Sequence, residues 1–259
     1  MSQHPQEARE VHARLIKAGL EIDASRGYWA HTDGSRAVSA REAFDGYWFG
    51  ARSLARVKDL LSNMRVRYNA YPSALATLHR WSGMQPETRR LVCHWHLMLA
   101  DPLYRSFSGG FMPERRQHQR TDVRTDLVSG WIGRVTGERW TTPTRIKIAT
   151  RLLAAGHDAG LIGGARDPRL LTLPRVPDRA LTYLLYLLRE VSFEGSLLHN
   201  PYLTSVGLDG DALTGRLRAL PDLAFTRQPD VIDFGWRYRN LRAWADATVA
   251  APRAAEPAA

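Results

Sequence analysis

Residues 140–162, WTTPTRIKIATRLLAAGHDAGLI, combine basic and hydroxyl side chains with a helical spacing. At 100° per residue, Thr144, Lys147 and Arg151 share one face of a helix. The apolar positions of the opposite face are Ile146, Ala149 and Leu153. A face of this kind favours binding to phosphate, although any amphipathic helix also presents a solvated polar face.

The start of this segment strengthens the phosphate hypothesis. Thr142 is a favoured N-cap residue, and Pro143 fits the first helical position. A helix N-terminus adds free backbone N–H groups and a partial positive charge, and both favour an anion. The candidate nucleic-acid contacts in this segment are Thr141, Thr142, Thr144, Arg145, Lys147 and Arg151.

A second group that could do chemistry is Cys93, His94 and His96, in LVCHWHLMLA. Side chains one and three positions apart on a helix do not converge on one ion, and the chain has no second ligand cluster to complete a site. We expect Cys93 to be a small core residue beside two partly exposed histidines. The sequence therefore predicts neither a metal nor a cofactor.

Enzyme signatures are absent from the sequence, which has no P-loop, dinucleotide fingerprint, GxSxG or HExxH. Three Pro-Asp pairs match the start of a restriction-nuclease signature: Pro177-Asp178, Pro221-Asp222 and Pro229-Asp230. That signature also needs a later lysine, and none follows Lys147. We expect these aspartates to serve as helix caps and turn residues, and the protein to be no enzyme.

The charge balance favours a polyanionic partner. The 259 residues carry a net charge of +10, with 36 basic and 26 acidic residues. Only Lys17, Lys58 and Lys147 are lysines, and arginine suits phosphate because its planar fork donates two parallel hydrogen bonds. The single cysteine excludes an internal disulfide. The N-terminus lacks a signal-peptide pattern, and the longest apolar run, 180–188, is too short to span a membrane. We therefore expect a cytoplasmic protein without membrane contact.

The spacing of apolar residues predicts a mainly α fold that begins with a helical bundle over 1–112. The predicted helices are 7–20, 40–49, 54–68, 72–81 and 86–99, with Ser39 and Glu42 at capping-box spacing. Bases outnumber acids over 51–90. This excess suggests a secondary basic surface made by Arg52, Arg56, Lys58, Arg65 and Arg67.

A polar stretch at 108–122, SGGFMPERRQHQRTD, is predicted to be a linker that contains the domain boundary. It also supplies further candidate DNA contacts: Arg115, Arg116 and Arg120. Beyond it we predict a helix over 121–135, the helix that starts at 142, and a hairpin over 160–174. Helix, helix and hairpin is the order of a winged helix-turn-helix, assigned here to 113–176.

A second, weaker winged unit is predicted over 177–246. It contains a helix at 178–191, a short one at 200–205, a helix capped by Asp209, and a hairpin of 223–225 with 231–236. Acidic residues in this unit make DNA binding less favourable there. Its aromatic residues are expected in the core or in an interface: Phe234, Trp236 and Tyr238. Residues 247–259 are rich in alanine and proline and are predicted to be disordered.

Three segments of the sequence resemble the BrxA family of the BREX bacteriophage-exclusion systems. They are RVKDLLSNMRVRYNAYPSALATL, WTTPTRIKIATRLLAAGHDAGLI, and LTYLLYLLREVSFEGSLLHNPYLTSVGL with the later DFGWRYR. The resemblance implies a helical N-terminal part likened to an RNA-antitermination fold, followed by winged-helix elements. It also implies DNA binding in phage defence beside other BREX proteins, namely methyltransferase, ATPase and phosphatase-like subunits. It carries no catalytic residue over to this chain.

Three functions follow as hypotheses. The first is a non-enzymatic subunit of a BREX-type system that binds double-stranded DNA mainly through phosphate contacts. The second is a protein-interaction scaffold of the defence complex that does not touch DNA. The third is RNA binding by the helical half.

Overall fold

The structure, a computed structural model, describes residues 4–137, 139–227 and 232–249. In these ranges the chain is mainly helical and has two small antiparallel sheets, as the sequence predicts. The buried apolar side chains form one connected core that extends from Leu15 to Val249. None of the described helices has the length and apolarity needed to cross a membrane.

The N-terminal half is a set of packed helices. They are α1 (Ile22–His31), α2 (Ala40–Asp45), α3 (Leu54–Tyr68), α4 (Pro72–Arg80) and α5 (Pro86–Ala100). Four of these were predicted, and α3 has the predicted bounds. Ser39 is the N-cap of α2, and its hydroxyl accepts a bond from the Glu42 N–H at 3.0 Å.

The predicted helix over 7–20 is wrong. That segment contains only a 3-10 turn at Arg14–Ile16, and the true first helix, α1, lies outside it. The backbone of the segment bonds to distant residues, since Glu7 N donates to Ser192 O and Ala8 N donates to Leu99 O. The Glu7 carboxylate is buried and accepts the Tyr202 hydroxyl at 2.5 Å. These long-range bonds replace the helical ones.

The predicted linker over 108–122 is also wrong, because helical structure occupies it as far as Gln117. The elements are α6 (Pro102–Ser106), a π-helical turn (Phe107–Phe111) and α7 (Met112–Gln117). The turn buries Phe107 and Phe111 against Trp131, with ring centroids 5.8 and 5.1 Å apart. Gly109, one of the paired glycines that favoured a linker, instead allows close packing against Pro201. The predicted boundary at 112 therefore lies in helix, while the division into domains stays a prediction.

A winged-helix order follows. After α7 come β1 (Asp122–Val123), α8 (Thr125–Thr136), α9 (Thr142–Asp158), β2 (Ile162–Gly163) and β3 (Arg169–Leu171). The antiparallel sheet has the order β1-β3-β2. The two helices and the hairpin are confirmed. The predicted helix start at Thr121 is wrong, because Asp122 and Val123 pair with β3 before α8 begins.

The second unit has a similar helix and hairpin content. Its elements are α10 (Asp178–Leu188), α11 (Pro201–Ser205), α12 (Gly210–Ala219), β4 (Leu223–Arg227), β5 (Ile232–Trp236) and α13 (Leu241–Thr248). Asp209 occupies the predicted N-cap position of α12. Trp236 packs edge-on against Tyr186 at 5.0 Å, in line with an aromatic packing role.

The predicted disordered tail begins too early. Residues 247 and 248 belong to α13, and Val249 is buried. The amphipathic helix of LRAWADAT explains this, since Leu241, Trp244 and Ala245 face the core. The rest of the predicted tail, 250–259, and Val231 of the predicted strand lie outside the described residues.

Candidate nucleic-acid interface

The start of α9 is an exposed cluster of threonines. Thr141 is the N-cap residue, one position earlier than predicted, and Thr142 is the first helical residue. The Thr141 and Thr144 hydroxyl oxygens are 3.2 Å apart, and Arg145 Nη2 donates to Thr142 Oγ1 at 2.9 Å. The predicted polar residues of this helix end therefore lie together at the surface.

The face of α9 that packs inward consists of Ile148, Ala149, Leu152 and Leu153. Ile146 is 45% exposed, so its predicted place on the apolar face is wrong. It lies on the outward face together with Pro143, Lys147, Thr150 and Arg151. Lys147 and Arg151 are one turn apart and form no hydrogen bond or ion pair with any residue in the described part of the chain. Both cations are available to a partner.

Two of the arginines from the predicted linker support the winged-helix sheet. Arg115 donates to Asp122 O from Nε at 2.9 Å and from Nη2 at 2.6 Å. Arg116 Nη2 donates to Thr172 O at 2.9 Å, and burial lowers the pKa of its guanidinium. Arg120 is exposed. We therefore assign Arg115 and Arg116 a positioning role, which leaves Arg120 as the accessible member of the three.

Asp167, in the turn between β2 and β3, ties the wing to the start of α8. Its Oδ2 accepts the Thr125 N–H at 2.8 Å, and its Oδ1 accepts Arg169 Nε at 2.9 Å. Partial burial raises the pKa of Asp167, but the bonds from Thr125 and Arg169 outweigh it and leave the pKa lowered. Sequence reasoning missed this residue, because the contact joins positions 42 residues apart.

A cleft of about 610 Å³ separates the second half of α9 from the helical bundle. Arg151 of α9 lines the cleft together with Arg52 and Arg56 from the N-terminal half. Arg56 Nη2 is held by Glu21 Oε1 at 2.6 Å. The basic face of α9 and part of the predicted secondary surface thus border one cavity, although the sequence presents them as separate regions.

The remaining residues of the predicted secondary surface divide by burial. Arg67 is 2% exposed, so its assignment to a surface is wrong. Its guanidinium donates to the backbone carbonyls of Ala18, Gly19 and Leu20. Arg65 donates to Val38 O, and Lys58 is exposed. The position of Arg67 on a predicted helix does not indicate that its side chain binds backbone carbonyls in the interior.

Cys93, His94 and His96 are all fully buried on α5, so the expectation of partly exposed histidines is wrong. His94 lies 2.9 Å from both Tyr104 Oη and Ser205 Oγ, and His96 lies 2.7 Å from Tyr183 Oη. Burial lowers the pKa of His94 to about 3 and that of His96 to about 4. Burial therefore keeps both histidines neutral, and their hydrogen bonds link α5 to the helices packed against it.

The described residues contain no group of three or more histidine, cysteine or acidic side chains placed to hold a metal ion. Among the Pro-Asp pairs, Asp178 is the first residue of α10 and Asp222 lies in a turn, where its Oδ2 accepts Trp244 Nε1 at 3.0 Å. Both positions agree with a structural role. Pro229-Asp230 lies outside the described residues.

The fold and the exposed face of α9 define a mainly helical protein with a winged-helix unit. No protein-family model matches the chain, and no curated protein matches it. Among solved structures it is similar to an uncharacterized protein from Magnetospirillum magneticum, with 16% identity and a TM-score of 0.54. The match covers 70% of this chain and 98% of the other. At this identity the likeness shows the fold alone.

Proposed function

We propose that the chain is a non-enzymatic protein that binds duplex DNA through the outward face of α9. The observation that carries this proposal is the pair of available cations, Lys147 and Arg151, on the second of two packed helices followed by a hairpin. In a winged helix this helix enters the major groove. Phosphate contacts are expected to supply most of the affinity, so binding is salt-dependent and only weakly sequence-selective.

The charge of the whole chain supports the same partner. A net charge of +10 attracts a polyanion over distances beyond direct contact. The threonine cluster at the start of α9 adds hydroxyl groups and helix N–H groups suited to phosphate. The resemblance to the BrxA family extends the proposal to a cytoplasmic subunit of a phage-defence system that acts with methyltransferase, ATPase and phosphatase-like proteins.

Fluorescence anisotropy with a labelled blunt duplex tests the proposal. The double substitution Lys147→Ala and Arg151→Ala is expected to weaken binding by about tenfold to a hundredfold, since each charge-assisted contact contributes about 1.5–3 kcal/mol before solvent screening reduces it. The matched control is Arg179→Ala with Arg218→Ala, which removes the same charge from exposed positions on α10 and α12. Equal loss in both double variants would mean that net charge, and not α9, determines binding.

A scaffold role is a second candidate, favoured by exposed apolar side chains on the winged-helix unit. Ile146, Leu170 and Leu173 are 45%, 60% and 53% exposed. Side chains of this type are common anchors in protein interfaces. Co-purification with neighbouring gene products that is lost in Ile146→Ser and Leu170→Ser, in a protein that binds neither duplex DNA nor RNA, would favour this role over the first.

A further inference from the structure

The cleft between α9 and the bundle is lined by basic, acidic and apolar residues. Of these, the proposed duplex contact uses only Arg151. Its volume of about 610 Å³ falls within the range of small-ligand sites, about 300–1,000 Å³. Arg52 and Arg151 contribute cations to its lining, and Asp23 and Asp158 contribute carboxylates. None of these four side chains bonds to another residue in the described ranges. The cleft thus offers two cations and two carboxylates to a ligand.

The balance of charges narrows the class of ligand. A phosphodiester strand running along the whole cleft would meet the carboxylates of Asp23 and Asp158, which repel it. A molecule that carries both an anionic group and hydrogen-bond donors can satisfy both pairs. Apolar surface is also present, because Trp48, Phe49 and Leu60 line the cleft. A nucleotide combines a phosphate, donor groups on its sugar and base, and a flat aromatic base whose faces can pack against apolar side chains.

Hydrogen bonds and aromatic stacking fix the residues that line the cleft. Arg67 binds the carbonyls of Ala18, Gly19 and Leu20, which lead into the cleft wall. Trp48 stacks on His31 with a centroid distance of 5.0 Å. Glu21 has a positive φ of 54°, an uncommon backbone conformation for a residue with a side chain, and Arg56 fixes its carboxylate. Residues held in this way form a preorganised wall, which lowers the entropy cost of binding.

The carboxylate of Asp158 is adapted to a donor group. Burial, with a contribution from Glu21, raises the pKa of Asp158 despite His157 and Arg90 nearby. Its charged form is therefore less stable than in water and gains from a hydrogen-bond donor. We propose that the cleft binds one nucleotide unit, with its phosphate between Arg52 and Arg151 and its sugar or base donors at Asp23 and Asp158.

Calorimetric titration of the full chain with deoxyadenosine 5′-monophosphate tests the proposal. Saturable binding is expected. Deoxyadenosine, which lacks the phosphate, is expected to bind at least about tenfold more weakly, because it loses a charge-assisted contact. Arg52→Ala removes one cation at an exposed position and is expected to weaken the nucleotide about tenfold. Ala154→Phe, which places a ring in the cleft, should abolish binding by filling it.

Controls separate this claim from duplex binding. Lys147 does not line the cleft, so Lys147→Ala should leave nucleotide affinity unchanged while it weakens the duplex. Binding of a free nucleotide is measured without any duplex, so the cleft proposal and the duplex-binding proposal can each fail independently. The source of the nucleotide is tested with a duplex that carries a single-nucleotide 5′ overhang. If this duplex binds wild type more tightly than the blunt duplex does, and Ala154→Phe removes the difference, the nucleotide comes from a strand end. Equal binding of the two duplexes, with the monophosphate still bound, would identify a free nucleotide.

The proposal is overturned by any of three results. The first is a calorimetric titration with the monophosphate at millimolar concentration that shows no saturable heat of binding. The second is unchanged affinity in both Arg52→Ala and Ala154→Phe, with thermal melts showing that both variants are folded. The third is saturable binding of trialanine without binding of the nucleotide, which would assign the cleft to a peptide instead.

Discussion

At the scale of single residues, several side chains that are usually found at the surface stabilise the interior. Arg67 satisfies three backbone carbonyls, and His94 and His96 join α5 to hydroxyl groups on other helices. A buried polar group costs free energy unless it is hydrogen-bonded, so these contacts are tightly constrained. Residue type alone predicted exposure for all three.

The histidines make stability depend on pH. Their folded pKa values, about 3 for His94 and about 4 for His96, are below the unfolded value of about 6.5. The unfolded state therefore binds more protons below about pH 6.5, and stability is expected to fall as pH drops from about 6.5 toward 4. Each histidine contributes up to about 1.4 kcal/mol per pH unit in this window.

Urea unfolding of wild type and His96→Gln at several pH values checks this expectation. The variant should be less stable at neutral pH, because Tyr183 loses its partner, but its stability should decline less steeply on acidification. Other titrating groups are common to both proteins, so the difference in slope reports on His96. Parallel curves would refute a neutral, buried His96.

Arg67 is expected to matter for stability. Arg67→Ala leaves three carbonyls without their donor and should lower the free energy of unfolding by about 3 kcal/mol or more. Lys58→Ala, on the same helix α3, removes the same charge from an exposed position and should change stability by less than about 0.5 kcal/mol. Chemical denaturation measures both, and a stable Arg67→Ala would contradict the buried role.

At the scale of elements, apolar periodicity predicted α3, α4, α5 and α9 closely. It failed where an element depends on a distant partner. The two residues of β1 have no internal period, and their pairing with β3 alone defines the strand. The start of the segment before α1 is not helical, because the backbone of Glu7 and Ala8 bonds to Ser192 and Leu99. Local sequence carries no signal of either contact.

The π-helical turn is an element whose glycines have distinct roles. A Cβ added at Gly109 would lie 2.6 Å from Pro201 O, whereas one added at Gly110 would have no neighbour within 4 Å. Gly109→Ala should therefore cost about 1–3 kcal/mol through overpacking against α11. Gly110→Ala is the matched control and should be neutral or slightly stabilising. Thermal melts compare the two, and equal melting temperatures would contradict the close packing.

At the scale of the whole molecule, the predicted units share one core. Trp131 of α8 packs on Phe107 and Phe111, and Trp95 Nε1 donates to Tyr202 O across 107 residues. Sequence reasoning found the basic face of α9 and the bases near Arg52, but it could not place them at one cleft. That placement depends on how α9 packs against the bundle.

The shared core predicts that the winged-helix unit is not independently stable. A fragment of residues 113–176 loses the partners of Trp131 and the contact of α9 with the turn at Arg14–Ile16. Far-UV circular dichroism of this fragment should show little helix and no cooperative melt, unlike the full chain. A cooperative transition in the fragment would support the domain boundary predicted from sequence.

The central claim is that the outward face of α9 contacts DNA phosphates, and the salt dependence of duplex binding tests it most directly. Affinity is measured for the full chain across a series of salt concentrations, as the slope of log affinity against log salt. Wild type should bind at low salt and weaken steeply, and replacing Lys147 and Arg151 by alanine should make the slope shallower by about two, one for each lost contact. No binding even at the lowest salt, or the same slope in wild type and variant, would contradict the claim.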